Sequence, residues 1–269
     1  MLQIVRYFAR KIEAHRLDAY AAQVAFFMLL ATVPLLILLF SLTAFLPISG
    51  NEFLAEITRM FPSLVGSLFE DLVYNVFENG SSLTTSFSII AIVWSASRGV
   101  YYIIGGLNSV FETKETRGVI KVRFLAVFYT LAFILILVAV LLLMVFGNTI
   151  ANLISGRFPT LTPLVELFLS LRFVVGLLLL TFFFAIIFKV LPNRKTTITA
   201  QLPGAVIAAV GWVLFSFIFS FYVNNFSSYA NIYGSLAAIV VFMLWLYICI
   251  YILFCGAELN LLVEKVQEK

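Results

Sequence analysis

The chain has 269 residues, of which 63% are hydrophobic and 11% are charged, and its mean hydropathy is +1.10. Monomeric soluble proteins rarely expose apolar patches on the scale that this composition would leave in water, so a soluble globular domain is excluded. The formal net charge is +4, but the sequence contains no recognisable nucleic-acid-binding motif. We therefore expect a membrane protein with no nucleic-acid partner.

The apolar residues fall into six stretches, each long enough to cross a bilayer as a helix, which takes roughly 20 residues. These stretches are residues 21–46, 87–107, 124–147, 173–190, 198–223 and 234–258. The apolar runs are continuous, whereas strands of a membrane barrel alternate lipid-facing and lumen-facing residues. The sequence therefore predicts an all-α fold, a single polytopic membrane domain over residues 1–269 with six transmembrane helices.

Three segments outside these stretches have an amphipathic pattern. Residues 1–20 are basic with apolar residues at helical spacing, which is typical of a helix lying in the headgroup layer. Residues 47–85 carry apolar residues at helical spacing among glutamates, and residues 148–171 resemble them. We expect amphipathic helices on the external side of the membrane, two of them in the segment 47–85.

Basic residues are concentrated in every second one of the segments that flank the apolar stretches. Thirteen of the 17 Lys and Arg residues lie before the first stretch, between the second and third, around the end of the fourth, or after the sixth. Three lie in the alternate segments, and Arg98 lies inside the second stretch. Because Lys and Arg collect in cytoplasmic loops, the pattern predicts that both termini lie in the cytoplasm, as in a protein of the bacterial inner membrane.

Arg98 is the main candidate for a binding residue. A charged residue within a span costs about 2.5–3.5 kcal/mol on insertion scales, so it faces the bundle interior or a water-filled cavity. Helical spacing places Trp94, Tyr101 and Tyr102 beside it, and Asn108 follows on the same helix. A guanidinium suits a phosphate or another anionic group, so these residues are predicted to bind an anion or a lipid headgroup.

Two carboxylates lie at comparable depth and offer a second interpretation of Arg98. Glu258 is near the end of the sixth stretch, close to Asn260, and Asp18 precedes the first stretch, one turn before Gln23. A structural ion pair of Arg98 with one of the carboxylates is the alternative to an anion site. Proton coupling through either carboxylate is a further hypothesis, because buried carboxylates can titrate near neutral pH. Gln23 and Asn260 are assigned to the same ion-pair or proton-coupling site as their polar neighbours.

Two features predict the shape of the helices. Pro34 lies inside the first span, where it removes a helix hydrogen bond and can act as a hinge. Ala200, Gly204 and Ala208 recur every four residues in the fifth span. Such small residues allow helix backbones to approach closely in a membrane.

Several stretches carry a resemblance to a known family, notably AQVAFF at 22–27, WSASRG at 94–99, LPN at 191–193 and GAELN at 256–260. In combination they resemble the YihY/BrkB family of bacterial inner-membrane proteins, sometimes labelled ribonuclease BN-like. The resemblance implies a six-span protein and a family in which some members are suggested to move envelope lipids. The stretch VAFF at 24–27 departs from a more tyrosine-rich family pattern.

Our leading hypothesis is a transporter or flippase for a lipid or an amphiphilic anion, not driven by ATP on this chain. A non-transporting scaffold of the cell envelope is the alternative. The expected partners are membrane lipids, with anionic headgroups among them. With His15 as the only histidine, we expect no metal site, no cofactor and neither nuclease nor other enzyme activity.

Overall fold

A computed structural model describes residues 10–41, 54–55, 58, 62–79, 82–132, 155–157, 160, 163, 170–225 and 235–267. In these residues the chain is helical and forms no strand, which confirms the all-α prediction. The six long helices are α1 Leu17–Ser41, α2 Ser63–Asn79, α3 Ser82–Val110, α4 Arg172–Val190, α5 Ile198–Asn225 and α6 Ser235–Gln267. Residues 10–14 and 119–132 are also helical.

The helices agree with most of the predicted spans. Within the described residues, four stretches are long and apolar enough to cross a membrane: Leu17–Ile37, Phe173–Val190, Ile198–Asn225 and Leu236–Val266. The helix α3 has 29 residues and covers the whole predicted second span. The predicted third span, 124–147, is described only as far as residue 132. A helical multi-pass membrane protein is therefore confirmed, whereas the number of six spans stays a prediction.

The distribution of large and small side chains is that of a bundle in lipid. Phe173 on α4 is 79% exposed and Phe217 on α5 is 72% exposed. By contrast, Ala205, Ala208 and Ala209 on α5 are fully buried. Without a hydrophobic force between helices in lipid, close packing of small residues holds them together, and the large apolar side chains cover the outside.

The helices α5 and α6 cross in close backbone contact. A Cβ atom built on Gly204 would lie 2.0 Å from the carbonyl oxygen of Gly256, and one built on Gly256 would lie 2.7 Å from the Cβ of Ala208. Only glycine allows these two backbones to meet. The predicted small-residue face of the fifth span is therefore confirmed as a helix contact.

The predicted basic segments meet at one end of the bundle, which we call the basic end. The basic end consists of residues 10–16, residues 111–118, residues 191–197 and the last turns of α6. Glu112 accepts hydrogen bonds from Lys11 and from Lys265, the latter at 3.2 Å. Arg194 binds Glu264 through two hydrogen bonds of 2.7 and 3.0 Å. Segments from four parts of the chain are thus joined by charge pairs.

Two loops of the basic end are held together by amide side chains. Asn108 accepts a hydrogen bond from the backbone N–H of Asn193 at 2.7 Å and donates one to Glu115 at 2.8 Å. The side chain of Asn193 donates in turn to Thr116 at 2.8 Å. Since these bonds use both ends of the Asn108 amide, this residue orders the loops that follow α3 and α4.

The helix α2 lies at the opposite end of the bundle. Its first residue, Ser63, bonds through its backbone N–H to Asn224 near the end of α5, at 3.1 Å. Its apolar face packs against α1 and α6 and includes Phe69, whose ring meets that of Phe242 at 5.3 Å. This confirms the second amphipathic helix expected in residues 47–85. The first of them, and the helix expected in 148–171, lie largely outside the described residues.

The N-terminal segment differs from its prediction. The first span begins at Leu17 rather than at residue 21, and residues 10–14 form a separate short helix. The break falls at Arg16, which has a φ of 52°, a left-handed conformation that costs a non-glycine residue energy. Pro34 lies inside α1, which continues to Ser41. A hinge at Pro34 stays a prediction.

Candidate functional site

A cavity of about 390 Å³ opens at the basic end, between α1 and α3. Its walls combine aromatic rings, amides and charged groups. The aromatic and polar side chains that line it are Arg16, Tyr20, Gln23, Tyr101, Tyr102, Asn108 and Glu115. Four of the residues singled out from the sequence, Gln23, Tyr101, Tyr102 and Asn108, are therefore brought together in one place.

The positions of these side chains follow from helix periodicity and from two adjacent glycines. Tyr101, Gly105 and Asn108 are spaced by about one helical turn and share a face of α3. A Cβ atom on Gly105 would lie 3.0 Å from the ring of Tyr20, and one on Gly106 would lie 2.5 Å from the ring of Phe254. The two glycines let α1 and α6 pack directly against α3, and Tyr20 becomes part of the cavity wall.

Arg16 supplies a cation to the cavity wall, and sequence reasoning did not single it out. Its carbonyl oxygen accepts hydrogen bonds from the backbone N–H groups of Ala19 and Tyr20, at 3.1 and 3.2 Å. Together with its left-handed backbone, these bonds hold Arg16 at the start of α1 with its side chain lining the cavity. The only signal in the sequence was a basic residue five positions before the first apolar stretch.

Arg98 lies about one turn beyond the cavity on α3 and does not line it. Its guanidinium carbon is 5.6 Å from the centre of the Trp94 ring, so the predicted contact between these two residues is present. The Nε of Arg98 is buried with no hydrogen-bond partner. In the described part of the chain no ion pair joins Arg98 to Glu258 or to Asp18. The cation beside Tyr101 is Arg123, whose guanidinium carbon lies 5.0 Å from the centre of the Tyr101 ring.

Phe27 of α1 connects the environment of Arg98 with the cavity. Its ring stacks on that of Tyr102, with the ring centroids 5.4 Å apart. It also makes a T-shaped contact with the ring of Trp94, with the centroids 6.2 Å apart. The position falls within the stretch in which the sequence departs from the tyrosine-rich family pattern. An aromatic wall is therefore retained here without the hydroxyl group.

Glu258 is hydrogen-bonded to His15, a partner that sequence reasoning missed. The side chain of Glu258 is fully buried, and its Oε2 lies 2.8 Å from Nδ1 of His15, which is itself 8% exposed. The second oxygen, Oε1, has no hydrogen-bond partner. The pairing arises because residues 10–16 fold over the end of α6, a contact between positions 243 residues apart.

The remaining polar candidates have separate environments. Asp18 is exposed in the first turn of α1, where a carboxylate is favourable for the helix dipole. Gln23 lines the cavity. Asn260 is fully buried at the crossing of α5 and α6, where it accepts a hydrogen bond from the N–H of Gly204 at 2.7 Å and donates to Gln201 at 3.1 Å. These three residues and Glu258 therefore do not form a single cluster.

Two carboxylates of the basic end have lowered pKa values. Hydrogen bonds from Lys11 and Lys265 lower the pKa of Glu112 from 4.5 to about 2. The pKa of Glu115 is also below its usual value, because Arg117 hydrogen-bonds both of its oxygens, at 2.7 and 2.6 Å. Both carboxylates therefore carry their charge at neutral pH, and each is balanced by an adjacent cation.

The lowered pKa of Glu112 predicts a pH dependence of stability. A carboxyl group with a depressed folded pKa stabilises the fold above its unfolded pKa and loses this contribution as the pH falls towards the folded value. Between pH 4.5 and about 2, the melting temperature of the wild type should therefore fall more than that of Glu112→Gln. The side chain is 44% exposed, so we expect a difference of at most about 2–4 °C.

The measurement is thermal unfolding in detergent across this pH range. Glu13→Gln, which removes an exposed carboxylate from the same end, should follow the wild-type profile. Parallel pH profiles for the wild type and Glu112→Gln would contradict the prediction.

Comparison with known proteins identifies relatives over nearly the whole chain. The model of a family described as "Virulence factor BrkB" matches residues 8–269. A Bacillus subtilis (strain 168) protein named "Putative ribonuclease-like protein YfkH" is 35% identical over 251 residues, which cover 93% of this chain and 91% of the relative. The "UPF0761 membrane protein NTHI0384" of Haemophilus influenzae (strain 86-028NP) is 27% identical over 265 residues, covering 97% and 95%. No solved structure matches.

The apolar helices and these relatives define a multi-pass α-helical membrane protein of bacteria. The chain belongs to the BrkB family. The resemblance to the YihY/BrkB family is thereby confirmed. The term "ribonuclease-like" belongs to the name of the Bacillus relative.

Proposed function

We propose that this protein moves an anionic amphiphile, a lipid or a lipid-like molecule, across the bacterial inner membrane without ATP on this chain. The observation that carries the proposal is the cavity at the basic end, where Arg16 lies among three tyrosines. Its volume of about 390 Å³ is within the range of small-molecule sites. A cavity with a guanidinium and aromatic walls suits a phosphate-bearing headgroup.

The charge balance around the cavity favours an anion. Glu115 is the carboxylate in the wall, and its charge is matched by the two hydrogen bonds from Arg117. Arg16 lines the cavity and Arg123 lies against the ring of Tyr101, so the charges around it sum to a positive value. A cationic headgroup would be repelled by this arrangement, whereas a phosphate would be attracted.

In this proposal, Arg98 is a second binding residue for the same anion. It lies on α3 only three residues before Tyr101, which corresponds to about 5 Å along the helix. A guanidinium in a span is expensive unless it faces a polar cavity or a partner. Its neighbour Trp94 provides a ring face, and the buried Nε still has a hydrogen bond to donate. An anion passing from Arg16 to Arg98 would move into the membrane along one face of α3.

The proposal includes six spans with both termini in the cytoplasm. The segments rich in Lys and Arg meet at one end of the bundle, and the positive-inside rule assigns that end to the cytoplasm. The cavity would then open towards the cytoplasm. A headgroup would enter from the inner leaflet.

A non-transporting scaffold is the second candidate. It is favoured by the number of polar side chains that only join parts of this chain, such as Asn108 to Asn193 and Arg194 to Glu264. A scaffold of this kind requires no ligand in the cavity. Hydrolysis of RNA is not part of either proposal, since the single histidine is 8% exposed and bound to Glu258.

The test is an analysis of lipids retained by the protein in native-lipid nanodiscs. We expect wild-type protein to be enriched in an anionic lipid and both Arg16→Gln and Arg98→Gln to lose the enrichment. A hydrogen bond to a charged group contributes about 1.5–3 kcal/mol, so each loss should lower lipid affinity about tenfold or more. Lys189→Gln removes an exposed cation near the same end and should retain the lipid.

Reconstitution into vesicles with a fluorescent anionic lipid then measures movement between leaflets. Wild type and Lys189→Gln should accelerate it, and the two arginine variants should not. Bulk lipid composition in all four proteins, with no acceleration by any of them, would favour the scaffold.

A further inference from the structure

The buried pair of His15 and Glu258 has no part in the proposed lipid site, yet it joins three elements. His15 precedes α1, and its carbonyl oxygen accepts a hydrogen bond from Ser109 of α3 at 3.0 Å. Its Nδ1 lies 2.8 Å from Oε2 of Glu258 on α6. Moving the imidazole would therefore disturb the contacts between α1, α3 and α6.

The two nitrogens of the buried imidazole face different carboxylates. Nδ1 faces the fully buried Glu258, whereas Nε2 lies 3.7 Å from Oε1 of Glu112, whose side chain is 44% exposed. Glu112 also has a left-handed backbone, with a φ of 53°, two residues after the end of α3. Nε2 therefore faces a carboxylate that is in contact with the solution, whereas Nδ1 faces one that is shielded from it.

The surrounding charges are few and are shared among the elements that pack here. Among the described residues, the titratable groups that face the pair are Glu112, beside His15, and Cys255, beside Glu258, with Lys11 and Lys265 next to Glu112. Lys11 and Lys265 are both bound to Glu112. Among the described residues, no Lys or Arg is bonded to Glu258, whose hydrogen-bond partner is His15.

We propose that His15 and Glu258 form a proton-binding site that exchanges with the solution at the basic end past Glu112. With one proton on the pair, the charges balance, either as carboxylate and imidazolium or as carboxylic acid and neutral imidazole. A second proton adds one positive charge, and loss of the proton leaves one negative charge. An unbalanced buried charge is costly, so each change in proton number favours a rearrangement of the helices around it.

Proton transfer at this site needs no other reactant. A proton from water binds Nε2 beside Glu112, and the proton on Nδ1 passes to Oε2 of Glu258. The free Oε1 of Glu258 can donate or accept once the carboxyl group is protonated and rotates. No bond other than those to hydrogen changes.

The site is linked to the lipid cavity by the chain itself, because Arg16 follows His15 directly. A shift of His15 away from α6 would move Arg16, whose strained backbone holds its side chain in the cavity wall. Coupling between proton binding and transport rests on the proposed function. Proton binding does not.

The single histidine makes the first experiment direct. Full-length protein with ¹⁵N-labelled histidine in nanodiscs gives one imidazole, whose two nitrogen shifts report its protonation between about pH 5 and about pH 9. We expect the protonation of the wild-type ring to change within this range and to respond to Glu258→Gln, because the carboxylate contacts the ring. Glu13→Gln should match the wild type.

Glu112→Gln provides a second variant at an exposed position, should Glu258→Gln fail to fold. It should change the titration in the same direction and by less. A wild-type ring that does not change protonation over this pH range, or that titrates alike in the wild type and both variants, overturns the proposal.

The second experiment separates this inference from the proposed function. In vesicles that carry a pH gradient, lipid movement by wild-type protein should respond to the gradient, and Glu258→Gln should move lipid without that response. A normal imidazole titration with no lipid movement would leave the proton site in place and reject transport. Movement that ignores the gradient in the wild type would reject the coupling.

Discussion

Replacing Gly204 with alanine should strongly destabilise the protein. The added methyl carbon would lie 2.0 Å from the carbonyl oxygen of Gly256 and 2.6 Å from Oδ1 of Asn260. Overpacking costs typically about 1–3 kcal/mol and occasionally more. Here the obstacle is the backbone of α6 rather than a flexible side chain, so we expect about 3 kcal/mol or more. The melting temperature should fall by about 6–12 °C.

The measurement is thermal unfolding of the purified protein, followed by size-exclusion chromatography in detergent. Gly118→Ala and Gly156→Ala are matched controls, because an added Cβ at either position meets no atom within 4 Å. Both controls should melt close to the wild type. If Gly204→Ala melted within about 2 °C of them, the close crossing of α5 and α6 would be wrong.

Removing the amide of Asn260 should give the second largest loss of stability. Its side chain is fully buried and makes three hydrogen bonds between α6 and α5: one from the N–H of Gly204, and two to the carbonyl and side-chain oxygens of Gln201. Asn260→Ala would leave buried polar groups without partners, at a cost of about 1–3 kcal/mol. We expect the melting temperature to fall by about 3–10 °C.

Asn225→Ala is the control for this variant. Asn225 also donates a side-chain hydrogen bond, to the carbonyl oxygen of Phe221 at 2.8 Å, but it is exposed at the end of α5. Water can replace that bond, so the control should change the melting temperature little. Equal effects of the two substitutions would show that Asn260 does not join the helices.

Both predictions concern the crossing of α5 and α6, and the sequence predicted only the α5 side of it. The four-residue repeat of Ala200, Gly204 and Ala208 indicated a helix contact, because helical spacing places these residues on one face. It contained no information on the partner, which is Gly256 with Asn260 on α6. Asn260 was interpreted instead as a companion of an ionisable pair, since Glu258 is near it in sequence.

The candidate site divides in a similar way. Tyr101, Tyr102 and Asn108 were grouped from their spacing on one helix, and they line one cavity together with Gln23. The sequence did not reveal Arg16 as the cation of that cavity, because the turn that orients this residue depends on its own left-handed backbone. Asn108 was proposed to bind an anion, whereas its amide joins the two loops of the basic end.

The sequence by itself determined the class of the protein, a helical protein that crosses the membrane several times. It also determined which segments carry Lys and Arg, and these segments meet at one end of the bundle. These properties depend on hydropathy, helical period and charge, which are local along the chain. Only the tertiary structure decided that His15 meets Glu258, that Arg16 rather than Arg98 lines the cavity, and that Gly204 meets Gly256. Each of these contacts joins distant segments or depends on a single turn, and the rotation and crossing of the helices set them.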